Sequence, residues 1–270
     1  MKIGFIGGGN MASAIIGGLL RQGFAAPDFH VVDPYAPGRE KLERDFGVTT
    51  SAAADAALEQ CAVIVMAVKP QQMREAAGAL APHLRTQLVL SIAAGIRIAD
   101  LSRWLGGHAR IVRSMPNTPA LIGAGISAMV AGSGVDAAGR AAAERILAAV
   151  GRAVWVEGEA LLDPVTAVSG SGPAYVFYFL EAMQAAGSEL GLPAATVREL
   201  ALETFIGAAR LAAQSPETFA TLRERVTSKG GTTAAALAVM NQHGMKEAFI
   251  AALKAASNRS RELGDEMGKD

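Results

Sequence analysis

The chain has 270 residues, more than one hydrophobic core usually organises, so two domains are expected. Its 25 basic and 25 acidic residues cancel, which leaves no global field to gather a polyanion and argues against nucleic acid as a partner. The apolar mass is aliphatic, 51% hydrophobic against 5% aromatic; no apolar run reaches spanning length, and Met1 opens a strand pattern with no secretory leader, so the expectation is a cytoplasmic protein without membrane contact.

From residue 2 to 156 short β-branched runs alternate with helical patterns: 3–6, 31–32, 63–68, 88–92, 111–112 and 126–130. The alternation predicts a parallel sheet with helices on both faces. After the first strand, Gly7, Gly9 and Ala12 fit G-x-G-x-x-A: Gly7 for a tight turn, Gly9 for backbone approach to a pyrophosphate, Ala12 for close helix packing. The helix that follows carries Ala12, Ile15, Ile16, Leu19 and Leu20 on one stripe and stops at Gly23, a left-handed cap.

Asp33 closes the second strand, where a carboxylate accepts from an adenine-ribose diol and favours NADH; Arg39, six residues on, could instead receive a 2′-phosphate, and Asp33 before Pro34 also suits a plain turn. The single Cys61 reads as a core thiol. At the ends of later strands stand Ala67, Val68, Lys69 and Pro70, then Ile92, Ala93, Ala94 and Gly95, whose small side chains leave room for a nicotinamide, then Met115-Pro116-Asn117-Thr118-Pro119. Such edges are where open α/β sheets bind ligands. The prolines around Asn117 and Thr118 fit a ligand contact and a structural corner equally.

Beyond Glu157 every strong pattern has helical length: 173–190, 194–213, 233–242 and 245–263. The expected domains are therefore 1–158 and 159–270. The helix from Pro173 is apolar nearly all round, which predicts that a second copy of the chain covers part of it. Ser169-Gly170-Ser171-Gly172 before it reads as a small-residue loop with Ser171 as a cap. In Thr227-Ser228-Lys229-Gly230-Gly231-Thr232-Thr233, two glycines before a helix let consecutive N–H groups converge on a carboxylate. Thr233 or Thr232 could aim a hydroxyl at a neighbouring heteroatom, or serve as a threonine N-cap. The four histidines, His30, His83, His108 and His243, lie outside these motifs, and no spacing suggests a metal. A carbonyl reductase wants a proton shuttle; a C=N substrate can enter already protonated, so hydride transfer needs positioning more than proton relay.

With GFIGGGNMA, AVKP, MPNTP, SGSGPAY and VTSKGGTT in that order, the chain resembles the pyrroline-5-carboxylate reductases from end to end. The resemblance implies a Rossmann-type doubly wound sheet followed by an all-α dimerisation domain. It implies reduction of 1-pyrroline-5-carboxylate to L-proline, the last step of proline biosynthesis, with NADPH or NADH as donor, by a homodimer often assembled into a decamer. It places Ile6, Gly7, Gly8, Gly9, Asn10 and Met11 at the nucleotide phosphates, residues 67–70 at a second cofactor edge, and Glu159 near the cofactor. It places the substrate on residues 228–233, with the amides of Gly231 and Thr232 on its carboxylate and Thr233 on its ring nitrogen. Many members of that family read Ser-Pro-Gly-Gly where this chain has Ser228-Lys229-Gly230-Gly231, and a Ser or Thr with Arg where it has Asp33-Pro34-Tyr35. The asparagine that relatives often carry after the third strand is not evident among residues 51–55. A β-hydroxyacid dehydrogenase would carry a lysine between residues 160 and 191, where there is none, and a dinucleotide sensor would not need a carboxylate cradle.

Overall fold

The computed structural model describes residues 1–269. Eight strands, β1 (Ile3–Ile6), β2 (Phe29–Val32), β3 (Thr49–Ser51), β4 (Val63–Met66), β5 (Leu88–Ser91), β6 (Ile111–Met115), β7 (Gly125–Ala131) and β8 (Gly151–Trp155), form one sheet in the order β3-β2-β1-β4-β5-β6-β7-β8. The first six strands are parallel and run in the order 3-2-1-4-5-6 of a Rossmann-type nucleotide fold. β7 is antiparallel to β6, against the expectation of an all-parallel sheet. Segment 116–124 is too short for the crossover that a parallel return requires, so the chain turns back through a proline-containing 3₁₀ turn, Thr118–Ile122.

Helices α1 (Asn10–Arg21), α2 (Ala36–Phe46), α3 (Met73–Leu80), α4 (Ile98–Trp104) and α5 (Ala137–Ala148) link the strands. One core holds Phe5, Val31 and Leu90 under Ile15, Ile16 and Leu19 of α1 and Ile146 of α5. A second, on the other face, holds Ile64, Met66 and Val89 under Met73 and Leu80 of α3 and Leu101 of α4. A fully buried side chain of this size contributes about 1.5–3 kcal/mol, so the strand ends that carry the glycine loop rest on two well-packed layers.

After the sheet come α6 (Leu162–Val165), α7 (Gly172–Glu189), α8 (Ala194–Gln214), α9 (Phe219–Arg225), α10 (Thr232–Gln242) and α11 (Met245–Met267). The expected loop before α7 is instead a wide helical turn, Thr166–Gly170, closed by the amide of Ser171 on the Thr166 carbonyl at 2.8 Å. Gly170 has no side chain to oppose the Met115 methyl, which would lie 2.5 Å from a Cβ there. The helix thus continues where small residues suggested a break.

The chain packs as two compact units: Met1–Ser171 with the chain from Lys254 onward, and Gly172–Leu253. Residues 245–253 of α11 belong to the second unit and the rest of the helix to the first. Within the first unit, the Ser260 hydroxyl donates to Asp163 at 2.7 Å, Arg97 pairs with Asp265 at 2.6 Å, and Met267 joins the second sheet core. Within the second, Phe249 packs edge-on against Tyr175 at 5.6 Å.

Candidate nucleotide and substrate sites

Gly7 adopts φ +97° and donates its amide to Val32 O at 2.8 Å, and a Cβ on it would lie 2.8 Å from Ala67 O. The tight turn therefore requires glycine, and it locks the ends of β1, β2 and β4 together. Gly9 is the N-cap of α1 at φ −72°, without a capping side chain, and a Cβ on it would meet nothing within 4 Å. This is open space before the first-turn amides of Asn10, Met11 and Ala12, which have no carbonyl one turn back inside the helix. No acidic residue stands in that turn to oppose an anion. A pyrophosphate fits such a cradle.

Asp33 stands beside the loop. Its Oδ2 accepts from the Gly8 amide at 2.7 Å and its Oδ1 from the Tyr35 amide at 2.8 Å, the bonds of a turn-forming aspartate. Arg39 donates to the main-chain oxygen of Asp33 at 2.7 Å. Ala67, with its amide on Ile6 O at 2.8 Å, follows β4 directly, and Val68, Lys69 and Pro70 lead into a 3₁₀ turn. Ile6 to Met11, Asp33 and residues 67–70 are thus brought to one rim of the sheet. Ala93 is buried beyond β5 and Ala94 half-buried, while Gly95 lies against Leu263, Gly264 and Met267 of α11.

Glu159 is engaged in the packing. Its Oε1 accepts from the Ile98 amide, the first of α4, at 2.8 Å and from Arg113 Nη1 at 2.8 Å. Arg113 is 5% exposed and needs that counterion, because a buried charge without a partner is costly. The one sign of this in the sequence is an arginine inside the apolar strand Ile111–Met115. Asn117 holds the corner in place: its Nδ2 donates to Ser169 O at 3.2 Å and its Oδ1 accepts from Ile126 N at 2.9 Å, tying the corner to β7 and to the wide turn. His30 contacts Thr49 and Asp55, and His108 contacts Gln87 O, all in packing roles. Burial pushes the Cys61 thiol up to about 11, opposed by Lys2 and assisted by Asp55, which leaves a protonated, unreactive sulfur.

In the second unit, Gly230 takes φ +73° and Gly231 is the N-cap of α10, which has no side-chain cap. A threonine cap is therefore not what places Thr232 and Thr233 here; both sit inside the first turn with their hydroxyls uncommitted among the described residues. The Gly231 amide differs from expectation: it donates to Ser228 O at 3.0 Å and closes the turn. The open amides of the cradle are those of Thr232, Thr233 and Ala234, because the amide of Ala235 already reaches Gly231 O. Ser228, Lys229 and Gly230 are exposed.

A glycine loop at the switch end of a Rossmann-type sheet, followed by helices with a second amide cradle, defines an NAD(P)-dependent oxidoreductase. Residues 2–95 match a family model described as NADP oxidoreductase, coenzyme F420-dependent, and residues 159–263 match one described as pyrroline-5-carboxylate reductase dimerisation. The chain is 46% identical to a pyrroline-5-carboxylate reductase of Pseudomonas aeruginosa, over 99% of this chain and 98% of that protein. It superposes on the structure of a Coxiella burnetii pyrroline-5-carboxylate reductase with a TM-score of 0.90 at 39% identity, covering 97% of this chain and 98% of that one. A Plasmodium falciparum pyrroline carboxylate reductase with NADP bound gives 0.87 at 28% identity, covering 98% of both chains. The chain belongs to the pyrroline-5-carboxylate reductase family.

Proposed function

We propose that this chain reduces 1-pyrroline-5-carboxylate to L-proline with NADH or NADPH, as the last step of proline biosynthesis in the cytoplasm. The observation that carries this reading is the N-terminus of α10, where a glycine cap leaves adjacent main-chain amides and two threonine hydroxyls uncommitted. Those amides hold the substrate carboxylate without an arginine, aided by the helix dipole. Thr233 meets the ring nitrogen, accepting from a protonated iminium and following the nitrogen as its charge is lost. When bound, the reduced nicotinamide supplies the hydride that the C=N carbon accepts. Residues 6–11 would hold its pyrophosphate, residues 67–70 would form a second edge of its site, and Ala93 and Ala94 would leave room for the nicotinamide.

We further propose a homodimer, with assembly into a decamer as a further step. Phe177 and Tyr178 of α7 are 64% and 69% exposed, apolar surface that a second copy would cover. The test is to supply 1-pyrroline-5-carboxylate to the purified chain, follow oxidation of NADH and NADPH, and identify proline as product. Nucleotide binding without turnover of the imine would refute the reading and favour a sensor.

A further inference from the structure

We propose that Asp33 makes this chain discriminate against a 2′-phosphate, so that NADH is preferred to NADPH; the inference rests on reading residues 6–11 as the nucleotide loop. Asp33 ends β2 with both carboxylate oxygens held by main-chain amides, Gly8 at 2.7 Å and Tyr35 at 2.8 Å. A carboxylate so fixed cannot swing aside without giving up two charge-assisted bonds. Gly8 packs directly on it: a Cβ there would lie 3.2 Å from Asp33 Oδ2 and 2.6 Å from Leu42 Cδ1. The glycine loop and the carboxylate at the end of β2 are therefore bonded and packed directly against each other.

Two of the roughly four acceptor positions of a carboxylate are used here, and the others can take hydrogen bonds from a ribose diol. A 2′-phosphate offers only acceptors and about two negative charges, so the same carboxylate repels it. Arg39 is the competing determinant. Its guanidinium is tied to the main-chain oxygen of Asp33 at 2.7 Å, so its bond steadies the strand end without pairing with the carboxylate.

The experiment is calorimetric titration of the full chain with ADP-ribose and 2′-phospho-ADP-ribose, which need no hydride chemistry, alongside NADH and NADPH. The wild type should bind the unphosphorylated ligands at least about tenfold more tightly, the scale of one like-charge contact at a partly solvated site. Asp33→Ser should close that ratio, and Asp33→Asn should do so while keeping the side-chain shape should serine unsettle the loop. Arg39→Gln should leave ADP-ribose affinity within about twofold. Equal or tighter binding of the phosphorylated ligand by the wild type, or a ratio unmoved in both Asp33 variants, overturns the proposal. Failure of every nucleotide to bind would instead bring down the loop reading on which it stands.

Discussion

Replacing Glu159 by alanine strands Arg113. The arginine is 5% exposed, and the carboxylate lies 2.8 Å from its Nη1, with the Glu159 side chain 30% exposed. Removing one partner of a buried pair costs about 3–5 kcal/mol, and the solvent that reaches Glu159 places this case near the lower end, about 3 kcal/mol. Loss of the acceptor for the first amide of α4 adds about 1 kcal/mol, so the expected total is about 4 kcal/mol. Glu159→Gln keeps that acceptor and one bond to the arginine and should cost about half as much. Arg113→Met combined with Glu159→Gln should recover most of the loss, since it removes both charges together and leaves the glutamine oxygen to accept from the Ile98 amide. Urea unfolding followed by circular dichroism, with the slope held common, measures all three. A Glu159→Ala variant within about 0.5 kcal/mol of the wild type refutes the argument, as does a double variant destabilised more than Glu159→Gln alone. NADH affinity in Glu159→Gln should stay within about twofold if the carboxylate serves packing alone; a loss of about tenfold would place it at the nucleotide, as the family resemblance implies.

Thr233→Ala should lower turnover about 10- to 100-fold, the worth of one hydrogen bond to a charged nitrogen, with an unchanged melting midpoint; wild-type turnover removes Thr233 from the chemistry. Gly9→Ala has room for its methyl and a permissive φ of −72°, so it should leave stability intact while weakening nucleotide binding at least about tenfold by calorimetry. Gly7→Ala should instead destabilise the fold by about 2 kcal/mol or more in urea titration, because φ +97° and the Ala67 carbonyl both oppose a side chain. Cys61 should resist thiol reagents until the chain unfolds. Its thiol ionises only near 11 in the folded chain against about 9 unfolded, so its contribution to stability is full below pH 9 and is lost as pH rises through 11, a decline that Cys61→Ala should abolish in urea midpoints.

The glycine turn between β1 and α1 was legible in the sequence because every constraint on it is local: a strand, a residue at positive φ, an open N-terminus. Asp33 was legible as a residue and not as a geometry, since nothing in Asp33-Pro34-Tyr35 says that both oxygens will be filled by main-chain amides. β3 and β8 escaped the pattern because edge strands need no apolar run; β3 is Thr49–Ser51, and β8 alternates as a half-covered strand does. The pairing of Arg113 with Glu159 joins positions 46 apart, and the return of α11 to the first unit is set by contacts of Ser260 and Arg97 that no helical periodicity encodes. At residues 227–233 the helix start was readable, but which amide closes the turn depended on the Ser228 carbonyl.

The polar side chains that look most chemical on paper are largely spent on main-chain groups. Asp33 holds the amides of Gly8 and Tyr35, Glu159 the amide of Ile98, and Asn117 the amide of Ile126 and the carbonyl of Ser169. What they leave open is main chain: the first turn of α1, and the first turn of α10 with its threonines. A reaction that needs an acid and a base would be poorly served by this arrangement. A hydride transfer to an iminium that arrives protonated asks only that two anions, a pyrophosphate and a carboxylate, be held in fixed places, and helix amides do that without titrating. Activity limited by such groups should follow the protonation of the substrate imine, with little contribution from any side chain of the enzyme. A pH–rate profile for kcat/KM that tracks the imine in free solution, and stays in place when His30, His83, His108 and His243 are each replaced, is the expected result; a limb that moves with any one histidine would show a proton relay that this geometry does not provide.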